Sequence, residues 1–129
     1  MEATMTPPKQ PLMVNGTCID MCMKCAQVCE ECFNLCLQEA DAKQRIDCIK
    51  SLQDCADICV TAARFMARGS GNIEKICCLC SLICESCATE CDMFKDQHCH
   101  VCADTCRQCA AECKNMENNI SGMQNNNPQ

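Results

Sequence analysis

Cysteine is the residue in this sequence whose type and spacing indicate chemistry. The chain has 129 residues, of which 20 are cysteines. Sixteen of them form eight pairs separated by three residues, a spacing that places two side chains one turn apart on the same face of a helix. The pairs are Cys18/Cys22, Cys25/Cys29, Cys32/Cys36, Cys55/Cys59, Cys80/Cys84, Cys87/Cys91, Cys102/Cys106 and Cys109/Cys113. Because thiolate sulfur is a ligand for soft metal ions, the pattern indicates metal binding.

The pairs join into longer rows that have the periodicity of a packed helix. From Cys18 to Cys36 the steps between cysteines alternate between four and three residues, the a and d spacing of a helix in contact with other helices. The same spacing recurs in two further rows, Cys77, Cys80, Cys84, Cys87 and Cys91, and Cys99, Cys102, Cys106, Cys109 and Cys113. A sparser row contains Cys48, Leu52, Cys55 and Cys59. Cys78 lies outside these rows, so it is either a ligand or a thiol at an interface or on the surface.

Helices must position these rows, and the sequence divides into four of them. We predict helix A over residues 15–39, helix B over 42–68, helix C over 72–94 and helix D over 97–118. Asn15, Asp41 and Asp96 are candidate N-caps, and Gly69-Ser70-Gly71 is the clearest break between helices. Such short connections favour an all-α, antiparallel up-down-up-down four-helix bundle with a cysteine-lined core. Residues 1–14 are expected to be a lead-in tail and residues 119–129 a disordered tail.

Composition and charge exclude several classes of protein. The net charge is −6 and aromatic residues make up 2% of the chain, so the basic patch and stacking aromatics of a nucleic-acid-binding protein are missing. No apolar run approaches the roughly 18 residues that cross a membrane, and the first residues do not resemble a secretory signal. We therefore expect a cytoplasmic protein with reduced thiols that bind metal. Disulfides between helices stay an alternative, whereas within one helix the Cβ atoms are too far apart.

The spacing also bears on which metal the thiols would bind. Ferredoxin-type clusters use a C-x2-C-x2-C segment, which this chain lacks. Structural zinc sites are closed tetrahedra, usually built from loops, and continuous helices do not readily form them. Cu(I) accepts two or three sulfurs, and sharing of sulfurs between ions would allow a capacity of about one Cu(I) per thiol. Sequestration of zinc or another soft heavy metal is an alternative function, and a thiol redox protein is a second.

The repeated CxxxC pairs, in phase on separate helices, resemble the copper storage protein family (Csp), also described as four-helix-bundle copper-binding proteins. The resemblance covers about residues 15–118 and implies non-enzymatic storage of multiple Cu(I) ions by the cysteines inside the bundle, in the cytosolic branch of the family. It also implies a homo-oligomer, a tetramer of bundles. A copper chaperone is a candidate donor of the metal. Helix B departs from the dense pattern after Cys59, so copper is less expected there than along the other helices.

The two ends of the predicted bundle differ in polarity. One end collects apolar residues and is expected to be closed by them: Met13, Phe65, Met66, Ile73, Met116 and Ile120. The other end collects the polar residues Gln44, Asp47, His98 and His100. We predict that Cu(I) enters at this polar end, with His98 as a transient ligand and His100 facing solvent. The apolar residues Ile76, Leu79 and Leu82 of helix C indicate self-association.

Overall fold

The computed structural model describes residues 15–125, and their side chains as far as residue 120. Within that range the chain forms α1 (Gly16–Gln38), a 3-10 helix (Ala42–Arg45), α2 (Ile46–Ala67), α3 (Ile73–Cys91) and α4 (Gln97–Asn125). Each of α1 and α3 packs against both α2 and α4. The predicted all-α, up-down-up-down bundle is therefore confirmed. The predicted tail over residues 1–14, which includes Met13, lies outside the described residues.

The helices pack together because each of them buries its row of cysteines in the common core. Every cysteine in the four rows is at most 2% exposed. Larger side chains are rare in the core, where Leu52 is 0% and Met66 2% exposed, and alanines such as Ala56 and Ala88 fill the flanks. Small side chains let the helices approach closely and leave sulfur as the main filling of the core. Among residues 15–125 no helix is long and apolar enough to cross a membrane.

The predicted break between the second and third helices has a clear structural cause. Gly69 adopts a φ of 63°, in the left-handed region that glycine enters without steric cost. Its N–H donates to the carbonyl of Met66 at 3.2 Å, and the N–H of Ser70 donates to the carbonyl of Phe65 at 3.0 Å. These bonds satisfy the last carbonyls of α2 and turn the chain towards α3.

Helix boundaries differ from the prediction at several points. The segment predicted as the start of helix B is a 3-10 turn, and α3 ends at Cys91 rather than at residue 94. α4 continues to Asn125 instead of ending at residue 118, because Met116 and Ile120 extend its packed face against the core. Asn15 does not cap α1 with its side chain, and its Nδ2 donates instead to the backbone carbonyl of Met66 at 3.2 Å.

Candidate metal centre

The four helices bring their cysteines into one continuous column of sulfur. Of the 20 cysteines, 19 are buried and all are free thiols. Neighbouring Sγ atoms lie 3.6 to 4.0 Å apart, from Cys55–Cys84 at the short end to Cys102–Cys106 at the long end. A disulfide would bring two sulfurs to about 2.0 Å, so these are reduced thiols in contact with one another. We call the 19 buried cysteines the thiol column.

Groups of four sulfurs with shared members follow one another through the column. In each group the sulfurs lie within 4.8 Å of one another. The groups include Cys22/Cys59/Cys80/Cys109, Cys25/Cys55/Cys59/Cys84, Cys25/Cys29/Cys55/Cys106 and Cys29/Cys87/Cys102/Cys106. Each shares at least one sulfur with the next: first Cys59, then Cys25 and Cys55, then Cys29 and Cys106. A set of ions bound here would therefore bridge through common sulfurs rather than occupy separate sites.

Contacts between helices are as short as those within the predicted CxxxC pairs. The sulfurs of Cys80 and Cys84, one turn apart on α3, are separated by 3.9 Å. Cys59 of α2 lies 3.8 Å from Cys80 and 3.7 Å from Cys84. It also lies 3.8 Å from Cys109 on the diagonally opposed helix α4. The groups of four sulfurs thus combine thiols of three or four helices, which the spacing within one helix does not reveal.

Burial controls the protonation of the thiols near the polar end. Removal from water raises the pKa of Cys36, and it raises the pKa of Cys99 to about 12. The pKa of Cys109, in contrast, is lowered to about 7 by hydrogen bonds with Cys113 and Cys22. Thiols with a raised pKa carry their protons at neutral pH, so a metal ion that binds them must displace those protons.

His98 lies at the polar end, where the prediction placed it, and it contacts the thiol column. Its Nδ1 is 3.4 Å from Sγ of Cys32 and 3.6 Å from Sγ of Cys99. Its Nε2 lies 3.1 Å from a carboxylate oxygen of Glu39, and its side chain is 19% exposed. Together with Cys36, these groups form a candidate site of three sulfurs and one imidazole nitrogen. The other predicted polar residues of this end, Gln44, Asp47 and His100, are exposed.

Arg45 is the residue of this end that the sequence analysis missed. It is buried at 5% exposure, and its Nη1 donates to Sγ of Cys36 at 3.8 Å and to Sγ of Cys99 at 3.6 Å. Its Nε lies 2.6 Å from Asp41 and its Nη1 2.5 Å from Asp96, the carboxylates predicted to cap helices. The signal was present in the sequence, because Arg45 precedes Cys48 by three residues and so continues the buried row of helix B.

The hydrogen bonds of Arg45 determine the charges around it. The bond from Arg45 holds the pKa of Asp96 below its usual range. Burial alone would lower the pKa of Arg45, but its bonds to Asp41 and Asp96 outweigh that effect and raise it. A permanent cation flanked by two carboxylates therefore lies directly over two sulfurs of the column.

The remaining residues of the sequence analysis are Cys78 and those of the apolar end. Cys78 is half-buried on α3, and a hydrogen bond with Glu117 raises its pKa. At the apolar end Met66 is 2% and Ile73 9% exposed, and the partly buried Met116 and Ile120 pack against the core cluster that contains them. Phe65 is half-buried with the guanidinium of Arg68 over its ring, 4.7 Å from the centroid.

Comparison with known proteins shows which family has this architecture. Residues 13–118 match the copper storage protein family, Csp. The chain belongs to the copper storage protein family. The family predicted from the cysteine spacing is thereby confirmed, and so is its four-helix fold.

Relatives of this Csp family member include proteins with and without an assigned function. The uncharacterised cysteine-rich protein YhjQ of Bacillus subtilis strain 168 is 41% identical over 86 residues, 67% of this chain and 80% of the relative. The Cu(I)-bound copper storage protein BsCsp3 is 39% identical, with a TM-score of 0.76 over 79% of this chain and 96% of that one. A cytosolic copper storage protein from Streptomyces lividans, loaded with five coppers, is 33% identical, with a TM-score of 0.75 over 78% of this chain and 88% of that one.

Proposed function

We propose that this protein stores multiple Cu(I) ions in the thiol column. The observation that carries the proposal is the sharing of sulfurs between successive groups of four. Cu(I) forms stable complexes with two or three soft sulfur ligands, so each shared sulfur can bridge neighbouring ions. On that connectivity the capacity approaches about one Cu(I) per thiol. Membership of the Csp family and the Cu(I)-bound state of BsCsp3 support the same conclusion.

Storage follows from the burial of the sulfurs. Each thiol that binds Cu(I) releases a proton, so uptake is stronger at higher pH. Once bound, the ion lies among side chains that are at most 2% exposed, which keeps it from redox reactions with solutes. The 19 buried thiols form a repeated array, which suits reversible binding better than catalysis by a single activated nucleophile. We infer that the protein is not an enzyme and returns its cargo unchanged.

The proposed ligands are the 19 thiols of the column, with His98 as a transient ligand where Cu(I) enters. His98 suits that role because one ring nitrogen faces Cys32 and Cys99 while the other faces Glu39 near the surface. Cys78 suits a surface or interface role better, because it is half-buried beside Glu117.

Partners and location follow from the same proposal. We expect a homo-oligomer that covers Leu79 and Leu82 of α3, which are 47% and 55% exposed. A cytoplasmic location suits reduced thiols and matches the cytosolic relative from Streptomyces lividans. A copper chaperone is the donor that would deliver Cu(I) without releasing it into solution.

Zinc is the second candidate, and one observation favours it. Four sulfurs around Zn²⁺ with bonds of about 2.3 Å lie about 3.8 Å apart. In the column the sulfurs in contact lie 3.6 to 4.0 Å apart, and all four sulfurs of a group lie within 4.8 Å of one another. An anaerobic titration of the reduced protein with Cu(I), against a competing chelator, separates the two. Tight uptake approaching about one ion per cysteine supports copper storage. Saturation near about one ion per four cysteines, with zinc displacing copper, supports zinc sequestration instead.

A further inference from the structure

We propose that Arg45 closes the tip of the thiol column, so that Cu(I) reaches the sulfurs through a side groove at His98. This inference rests on the proposed storage of Cu(I). It assigns a role to Arg45, Asp41, Asp96 and Phe94, which we call the Arg45 latch, and it separates two routes at the polar end of the bundle.

The latch ties together the two connections at this end. Asp41 lies in the connection between α1 and α2, and Asp96 in the connection between α3 and α4. The guanidinium of Arg45 binds both carboxylates, at 2.6 and 2.5 Å, and lies over the ring of Phe94, 4.4 Å from its centroid. Its side chain is 6% exposed. Because the guanidinium is buried, whereas Asp41 and Asp96 are 46% and 28% exposed, loss of a carboxylate would leave a buried cation with fewer partners. The cost of that loss favours the closed tip.

The guanidinium of Arg45 covers the two sulfurs that lie at the tip of the thiol column. The same Nη1 that binds Asp96 donates to the sulfurs of Cys36 and Cys99, at 3.8 and 3.6 Å. An ion that approached along the axis of the bundle would have to displace a permanent cation from these two sulfurs. Steric exclusion by the guanidinium therefore opposes the axial route, while its charge is balanced by Asp41 and Asp96. Without the guanidinium, these two carboxylates would attract a cation.

A second route avoids the latch. A groove between α1 and α4 has Cys32 and His98 among its lining residues. Its walls include Leu35 and Val101, which are 39% and 44% exposed, so the groove is open to solvent. His98 spans from this surface to Cys32 and Cys99. An ion can thus pass from the groove to Cys32 by way of His98 without displacing Arg45 from Cys36 and Cys99.

The experiment compares the initial rate of Cu(I) uptake among variants of the reduced full-length protein, supplied anaerobically with a Cu(I)–chelator complex. Arg45→Leu removes the charge without adding a sulfur ligand. We expect it to load about tenfold faster than the wild type, the lower end of the effect of local charge on association rates. His98→Ala should slow uptake in the wild type but have little effect in the Arg45→Leu background, because the axial route is then open.

Arg107→Leu is the matched control, since Arg107 pairs with Asp92 on the surface and its side chain is 49% exposed. It should load at the wild-type rate. If Arg45→Leu loads no faster than this control, or stays as dependent on His98 as the wild type, the latch proposal is overturned. A merely structural role for Arg45 would not change the dependence on His98.

Two further measurements keep the result interpretable. Asp96→Asn retains Arg45 but removes one of its two carboxylates, and it should load faster than the wild type and slower than Arg45→Leu. If circular dichroism shows that Arg45→Leu does not fold, Asp96→Asn decides, and wild-type kinetics for it would reject the latch. Total capacity is measured in the same titrations. A low capacity in every variant refutes storage itself, whereas full capacity with unchanged rates refutes only the latch.

Discussion

The two ends of the bundle are closed by different interactions. At one end Met66 and Ile73 are buried by contact with other apolar groups. At the other end Arg45 is buried by ion pairs with Asp41 and Asp96 and by hydrogen bonds to two sulfurs. Apolar packing is lost only when the helices separate, whereas ion pairs can exchange partners while the helices stay in place. The comparison teaches that apolar packing stabilises one end, and it supports our proposal that metal ions pass at the other.

The largest expected effect is stabilisation by Cu(I). Which end of the bundle is protected first as Cu(I) binds tests the difference between the two ends. Each ion that binds only the folded protein adds about 2.7 kcal/mol at a free concentration of 100 times Kd, so full loading should raise Tm strongly. With the first equivalents, hydrogen exchange should slow first in the amides around Cys32 and His98, which lie at the side groove. Thermal unfolding and hydrogen exchange under anaerobic conditions measure both effects. Protection that begins around Met66 instead would place the entrance at the apolar end.

Removal of apolar packing should affect stability without affecting uptake. Met66→Ala deletes a core side chain that is 2% exposed and should cost about 2 to 5 kcal/mol of unfolding free energy. Urea unfolding of the apo protein measures that loss, and the initial rate of Cu(I) uptake by the folded variant should match the wild type. Met23→Ala, at a side chain that is 47% exposed, is the control and should change neither quantity appreciably. A large change in uptake rate with Met66→Ala would contradict the division of roles.

The thiols near Arg45 should make the apo protein less stable at high pH. Burial raises the pKa of Cys99 from 9.0 to about 12, so the folded state keeps this proton to higher pH than the unfolded state does. The unfolded state therefore binds fewer protons between these values, and stability falls as pH rises from about 9 to about 12. The slope from this group is about 1.4 kcal/mol per pH unit.

Anaerobic urea unfolding across that pH range checks the slope. A Cys99→Ala variant should show a shallower dependence than the wild type, because it lacks the titrating thiol. An equal slope in the two proteins would mean that Cys99 does not carry the effect.

The smallest expected effect in free energy is the loss of the imidazole at the side groove. His98→Ala should load several-fold more slowly than the wild type but reach the same capacity, because the thiol column is unchanged. His100→Ala is the matched control on the same helix, since that residue is exposed. Stopped-flow uptake by the two variants gives the comparison directly. Equal uptake rates for the two variants would mean that the ion does not pass by His98, although the thiol column could still bind it.

The helices and the metal chemistry could be predicted because both depend on the spacing of cysteines that are close together in the sequence. Steps of four and three residues place Cys18 to Cys36 on one face of a helix whatever that helix packs against. Repetition of the same steps on other segments predicts that the faces meet, since a row of buried thiols needs partners. The four-helix bundle and the polar location of His98 followed from this reasoning, and the family followed from the resemblance of the CxxxC pattern to the copper storage proteins.

The end of the last helix could not be predicted in the same way. The prediction ended the helix at residue 118, and the Asn and Ser residues after Met116 do lower the local preference for helix. In the structure the contact of Ile120 with the core outweighs that preference, and the helix continues to Asn125. Tertiary packing, which depends on segments distant in sequence, decides such a boundary.

By itself the sequence determined that a row of thiols lies on each helix, because side-chain direction repeats with the local helical period. It also determined that these thiols are ligands for soft metal ions, because that preference belongs to sulfur itself. Only the tertiary structure decided which sulfurs group together, as when Cys59 meets Cys109 from the opposite helix. It also decided the role of Arg45, whose contacts Asp96 and Cys99 lie far along the chain. Contacts of this kind depend on how four helices are rotated against one another, and no local pattern encodes that rotation.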